Sequence, residues 1–159
     1  MVRNEKGFSL VVLIIVIAIM AVLVGIVGTQ VIPYLNRTRE AKDTQALTAF
    51  ASAGISAYGL NADTTDGLTG FTIQVSAAGD GKDQYIPVGV PQVQAIADTM
   101  KELISTDYVT NASTSFESVS FRHTDHIDVI FDFTAKKIYV EAYDSSGNLL
   151  NSQNVMGVL

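Results

Sequence analysis

The two histidines of the chain stand beside two aspartates in the stretch His123, Asp125, His126 and Asp128. Imidazole and carboxylate at such close spacing is the composition of a zinc or nickel site, and no other stretch resembles one. On a strand, His126 and Asp128 share one face while His123 and Asp125 fall in the turn before it. A solvated hairpin turn is therefore the plainer reading, and no metal is assigned. A second oxygen-rich group, Asp80-Gly81-Lys82-Asp83 with Asp63 and Asp66, has the chemistry of a calcium loop. It lacks both the spacing and the closing glutamate of an EF-hand, which leaves an ordinary acidic loop. Neither histidine lies in a recognisable nucleophile or acid/base motif, G-x-S-x-G and H-E-x-x-H are absent, and Gly79-Asp80-Gly81 is too short to cradle phosphate. The chain has no cysteine, which removes disulfides, thiol nucleophiles and cysteine-based metal centres. No catalytic residue and no cofactor are assigned, and the chain is read as not being an enzyme.

Charge narrows the partners further. Ten Lys plus Arg stand against sixteen Asp plus Glu, a formal net charge of -6 with a pI near 4.7. Phosphate backbones are bound by clustered cations. Beyond residue 42 the only basic side chains are Lys82, Lys101, Arg122, Lys136 and Lys137, so nucleic acid is an unlikely partner.

The apolar residues, 48% of 159, are unevenly placed. A polar leader, Met1 to Gly7, precedes Phe8 to Gly28, and no charge occurs from Gly7 to Asn36. As a helix, Phe8 to Gly28 measures roughly 31 Å, close to the thickness of a hydrocarbon core. A cleaved secretory signal fits less well, because the run is longer than such an apolar region and leads into Thr29 to Pro33 without a small-x-small site. Tyr34 to Tyr58 is rich in helix formers, with Leu47, Phe50, Gly54 and Tyr58 on one stripe. One continuous helix from Phe8 to Tyr58 would measure roughly 76 Å, with a loosened turn expected near residues 29 to 33 because Pro33 lacks an N–H. Gly25 and Gly28 are three apart and form no GxxxG pair. Arg3 and Lys6 in front balance Arg37, Arg39 and Lys42 behind, so charge counting does not orient the span.

The residues Lys6-Gly7-Phe8-Ser9-Leu10-Val11 and the aliphatic run Leu13 to Ile19 resemble the prepilin signature of type IV pilins and their secretion-system relatives. The resemblance covers roughly residues 1 to 45 by sequence and the remainder by organisation alone. It implies a leader over 1–7, cleavage between Gly7 and Phe8 by a membrane aspartyl prepilin peptidase, and N-methylation of Phe8. It implies a single-pass segment of the cytoplasmic membrane, N-terminus inside, followed by a pilus or cell-surface location. The implied partners are other pilin subunits, the prepilin peptidase and the pilus assembly platform. Where the family usually has a glutamate, thought to pair with a neighbouring subunit's terminal amine, this chain has Val12. That departure suits a minor or tip subunit, or an assembly-impaired variant; the expected role is a structural subunit of a type IV pilus or related filament, with a pseudopilin of a secretion or DNA-uptake system as the alternative. A membrane-tethered binding module is the alternative from another class. Adhesion, motility and secretion depend on partners the sequence does not name.

For residues 59–159 the expectation is an exported α+β domain, giving a long N-terminal helix packed on a small antiparallel β-sheet. Thr69 to Val75 and Tyr85 to Val90 read as extended, Pro91 to Ser105 as a short amphipathic helix. In the last third Phe116, Val119 and Phe121, then Ile127 to Phe133, then Ile138 to Tyr143 alternate with polar residues. Turns are expected at His123 to Asp125, Thr134 to Lys137 and Asp144 to Asn148, with Leu149 to Val155 as candidate last strand. Asn36-Arg37-Thr38 and Asn111-Ala112-Ser113 match the N-glycosylation pattern, a frequent chance match.

Overall fold

The computed structural model describes residues 6–110 and 116–155. The leader residues 1–5 and the Asn111-Ala112-Ser113 pattern lie outside them. Two compact units divide the chain, Met1–Thr38 and Arg39–Leu159.

The first unit is helical. Helix α1 spans Lys6–Ile26 and passes through a π-helical turn, Val27–Val31, into helix α2, Ile32–Leu60. The loosened turn falls slightly earlier than expected, and the Ile32 N–H reaches back to the Val27 carbonyl across the wider π spacing. Pro33 accounts for it, since a proline has no N–H to give the carbonyl four residues back and its ring crowds that carbonyl. The Thr29 hydroxyl helps to occupy the loosened turn by donating to the Gly25 carbonyl at 3.0 Å.

The second unit is α+β, with the helix from Arg39 to Leu60 packed on a five-stranded antiparallel sheet ordered β2-β1-β3-β4-β5. The strands are β1 (Gly70–Ala77), β2 (Asp83–Val88), β3 (Thr124–Asp132), β4 (Lys137–Asp144) and β5 (Leu149–Val155). Helix α3, Gln94–Leu103, follows a short 3-10 turn at Pro91–Val93 and packs beside β2. Alternation places Phe71, Ile73 and Val75 of β1, Ile127, Val129 and Phe131 of β3, and Ile138, Val140 and Ala142 of β4 on the buried face. Leu47, Phe50, Ala51 and Gly54 supply the matching helix stripe. Contact is close at Gly54, where an added Cβ would lie 3.0 Å from the Phe131 ring. Strand β1 also needs a glycine, because a Cβ at Gly70 would stand 2.5 Å from the Phe131 carbonyl oxygen.

Two sequence expectations are corrected. Phe116, Val119 and Phe121 do not belong to a strand, since the chain turns through this region before β3. Phe116 and Phe121 are buried and their rings stack at 5.7 Å, whereas Val119 is 65% exposed. Two anchors bracketing a turn mimic a period-two pattern. Asp125, expected in a turn, lies within β3 beside a register shift between Thr124 and His126.

Candidate functional site

Helix α1 presents the most unusual surface. Every large apolar side chain from Leu10 to Ile32 is between 41% and 70% exposed, with no charge among them. A single stripe would mark an amphipathic helix; exposure all round marks a segment whose surroundings are apolar on every side. The described helix is long and apolar enough to cross a membrane. Gly7 and Phe8 lie in its first turns. Val12, 44% exposed, adds one more aliphatic side chain to this surface. No side chain approaches within 4 Å of the positions that Cβ atoms would take at Gly25 and Gly28.

The His and Asp cluster is split between a turn and a sheet face. His123 is exposed in the turn before β3, while His126 and Asp128 share the outer face of the sheet. His126 Nδ1 lies 3.1 Å from Asp125 Oδ2, and its ring stacks on Tyr143 at 5.2 Å. Asp128 instead accepts a long hydrogen bond from Gln74 Nε2 at 3.4 Å. The four residues do not converge, and no group of three or more metal-binding side chains is found among the described residues.

Asp128 belongs to a cross-strand row that the sequence did not reveal. Register places Gln74 opposite Asp128, Asp128 opposite Glu141, and Glu141 opposite Ser152. Glu141 accepts from the Tyr143 hydroxyl at 2.6 Å and from Ser152 at 3.1 Å. That bond to a carboxylate holds the phenolic proton, pushing Tyr143 up to about 12, with burial adding to it.

The acidic loop group is dispersed. Asp80 accepts from the Lys82 N–H in a local turn, and Asp63 and Asp66 are exposed beyond the end of α2. Asp83 points inward and is 1% exposed. Its carboxylate accepts the successive backbone N–H groups of Val109 and Thr110, at 3.1 and 2.7 Å. Asp43 on α2, fully buried, does the same for Glu117 and Ser118, at 3.1 and 2.8 Å. Lys42 adds an exposed ion pair to Glu117 at 2.5 Å. Their hydrogen bond and mutual charge raise the Lys42 pKa and lower that of Glu117. Two buried carboxylates thus hold the segment between α3 and β3 on both flanks. Nothing in their spacing announced this, because their partners are backbone groups far along the chain.

An open groove of about 470 Å³ runs along α2, floored by Ala49, Ser52, Ala53 and Ser56 and walled by Leu103 to Thr106 and Tyr108. It carries no charged lining residue, and thus no recognisable catalytic arrangement.

Comparison with protein-family models, with characterised proteins and with solved structures finds no match to this chain.

Proposed function

We propose that the chain is a structural subunit of a type IV pilus or a related pseudopilus, processed at Gly7-Phe8 and assembled through its N-terminal helix. The observation that carries this reading is the charge-free surface of α1 and the π turn after it, exposed all round from Leu10 to Ile32. In water each such side chain forfeits about 1.5–3 kcal/mol relative to burial, so the helix requires either lipid or other helices of like character. A filament core made from copies of this helix keeps the environment apolar on leaving the bilayer, so extraction need not expose the segment. The prepilin-like leader and the helix continuing onto an antiparallel sheet support the same assignment. Val12 favours a rare or tip position, or a pseudopilin, over an abundant subunit, because no carboxylate is available there to attract a neighbour's terminal ammonium.

The test is intact N-terminal mass spectrometry on sheared surface material and on membranes. Chains beginning at methylated Phe8 in the sheared fraction are expected for a pilus subunit. Processed chains confined to the membrane identify the pseudopilin or rare-subunit form. The intact leader on every copy would overturn the proposal in favour of a membrane-tethered module.

A further inference from the structure

The outer face of the sheet carries two carboxylates that form no ion pair among the described residues. Asp128 and Glu141 stand directly opposite each other on β3 and β4, a placement that brings Cβ atoms to about 5 Å and destabilises like charges. The ion pairs among the described residues are Lys42 with Glu117 and His126 with Asp125. Neither reaches this pair. Glu141 already holds two hydroxyl donors, whereas Asp128 has only the long bond from Gln74.

We propose that Asp128 and Glu141 form an acid-tightened latch across β3 and β4. In acidic medium Asp128 takes up one proton from water and donates it in a hydrogen bond to the Glu141 carboxylate. One like-charge repulsion is thereby exchanged for a charge-assisted bond, and a carboxylate has lone pairs left to accept it alongside two hydroxyls. The surroundings agree. Strand β1 faces the pair with Gln74 and Ser76, which do not titrate, and β5 with Ser152. Strand β3 adds His126 and Asp132, and β4 adds Tyr139, Tyr143 and Lys137, the last opposite Asp132. Burial, and to a smaller extent the Glu141 charge, push the Asp128 carboxyl above the usual aspartate range, against the opposing pull of His126 and Gln74. A carboxyl shifted upward binds its proton more tightly folded than unfolded. Its stabilisation is complete below the ordinary value of 3.8 and is lost as pH rises through the raised folded value.

The latch is a property of the sheet and stands or falls independently of the filament assignment. Thermal unfolding of the full chain in detergent micelles, at about pH 4 and about pH 7.5, tests it by difference, since other carboxylates also titrate in this range. Relative to Asp128→Asn, the unsubstituted chain is expected to gain in Tm on acidification. Glu141→Gln should reduce the same gain without abolishing it, because it removes the opposed charge but leaves Asp128 buried, and an undiminished gain in Glu141→Gln would overturn the latch. His126→Gln should leave the gain in place. A parallel pH profile in Asp128→Asn, or a gain that vanishes with His126→Gln, would overturn the proposal. Should the sheet variants fail to fold, the carboxyl-carbon NMR titration of Asp128 in the unsubstituted chain decides. A midpoint raised above the usual aspartate range is expected, and an ordinary one refutes the latch.

Discussion

Asp43 and Asp83 are the side chains on which most depends in the second unit. Each is buried, and each spends its charge on two successive backbone N–H groups that would otherwise be stranded. The chain has no cysteine, so these four bonds do some of the fastening that a disulfide supplies elsewhere. Removing either carboxylate leaves buried donors unpaired, at a cost of about 1–3 kcal/mol. Asp43→Ala is therefore expected to lower the unfolding free energy by about 2 kcal/mol and to speed hydrogen exchange at the Glu117 and Ser118 amides. Asp83→Ala should act alike on Val109 and Thr110. Each variant should leave the other pair protected; loss at all four positions in both would show one cooperative fastening instead of two. Lys42→Ala should cost under about 1 kcal/mol, because the Lys42–Glu117 pair is exposed to solvent. None of this was legible beforehand: an aspartate that binds backbone far along the chain leaves no periodic or motif signal.

Helices and strands were more legible, to the degree that their burial was periodic. Leu47, Phe50 and Gly54 mark the packed stripe of α2 because that side of the helix lies on the buried face of a continuous sheet. Ile127, Val129 and Phe131 mark β3 because the alternate face is polar at His126, Asp128 and Asp132, with Ile130 the exception. The same logic misplaces Phe116 and Phe121, whose common burial arises from a turn folding two aromatic anchors together. It also finds the outer-face histidine and aspartate of β3 but not the register that sets Asp128 against Glu141. Packing distance makes a sharper statement at the two glycines of α2. Gly54 sits against Phe131, which is itself stacked on Phe71 at 4.2 Å, so the ring cannot retreat freely. Gly59 faces open space. Gly→Ala in a helix gains about 1 kcal/mol of propensity, while forcing a methyl into a packed core costs about 1–3 kcal/mol. Gly59→Ala is expected to stabilise and Gly54→Ala to destabilise, read as shifts of opposite sign in denaturant midpoint with unchanged m-value. Pro33 offers a second contrast. Pro33→Ala restores an amide N–H to the loosened turn, and that amide should become protected from exchange while the π spacing at Val27–Val31 reverts to α. An amide at position 33 that exchanges freely would assign the π turn to another cause.

At the scale of the whole molecule the apolar helix decides the setting, and Val12 decides how strongly copies attract one another under the proposed filament reading. A lysine at Ile17 would place an ammonium within the span, at a translocon cost of about 2.5–3.5 kcal/mol near a helix centre. Because about fifteen aliphatic neighbours each favour insertion by about 0.3–0.6 kcal/mol, Ile17→Lys alone should leave the chain in the membrane on alkaline extraction, whereas Ile14→Lys, Ile17→Lys and Met20→Lys together should release or degrade it; full retention of the triple variant would contradict a spanning role. Position 12 is subtler, because a carboxylate there has opposite effects before and after assembly. In the bilayer an unpaired Glu costs energy, which favours any state that supplies an ammonium; in a filament the terminal amine of processed Phe8 on a neighbouring copy is such a partner. Val12 gives up both the penalty and the attraction, leaving non-directional apolar packing that does not fix axial register. Val12→Glu is accordingly expected to raise incorporation into sheared filaments when expressed with its native assembly machinery, with no change in leader cleavage. The readout is the ratio of filament-borne to membrane-borne chain by quantitative mass spectrometry. A higher ratio locates the limit on assembly in the missing carboxylate, whereas equal ratios for the two forms would mean that helix packing and domain contacts already set the register without it.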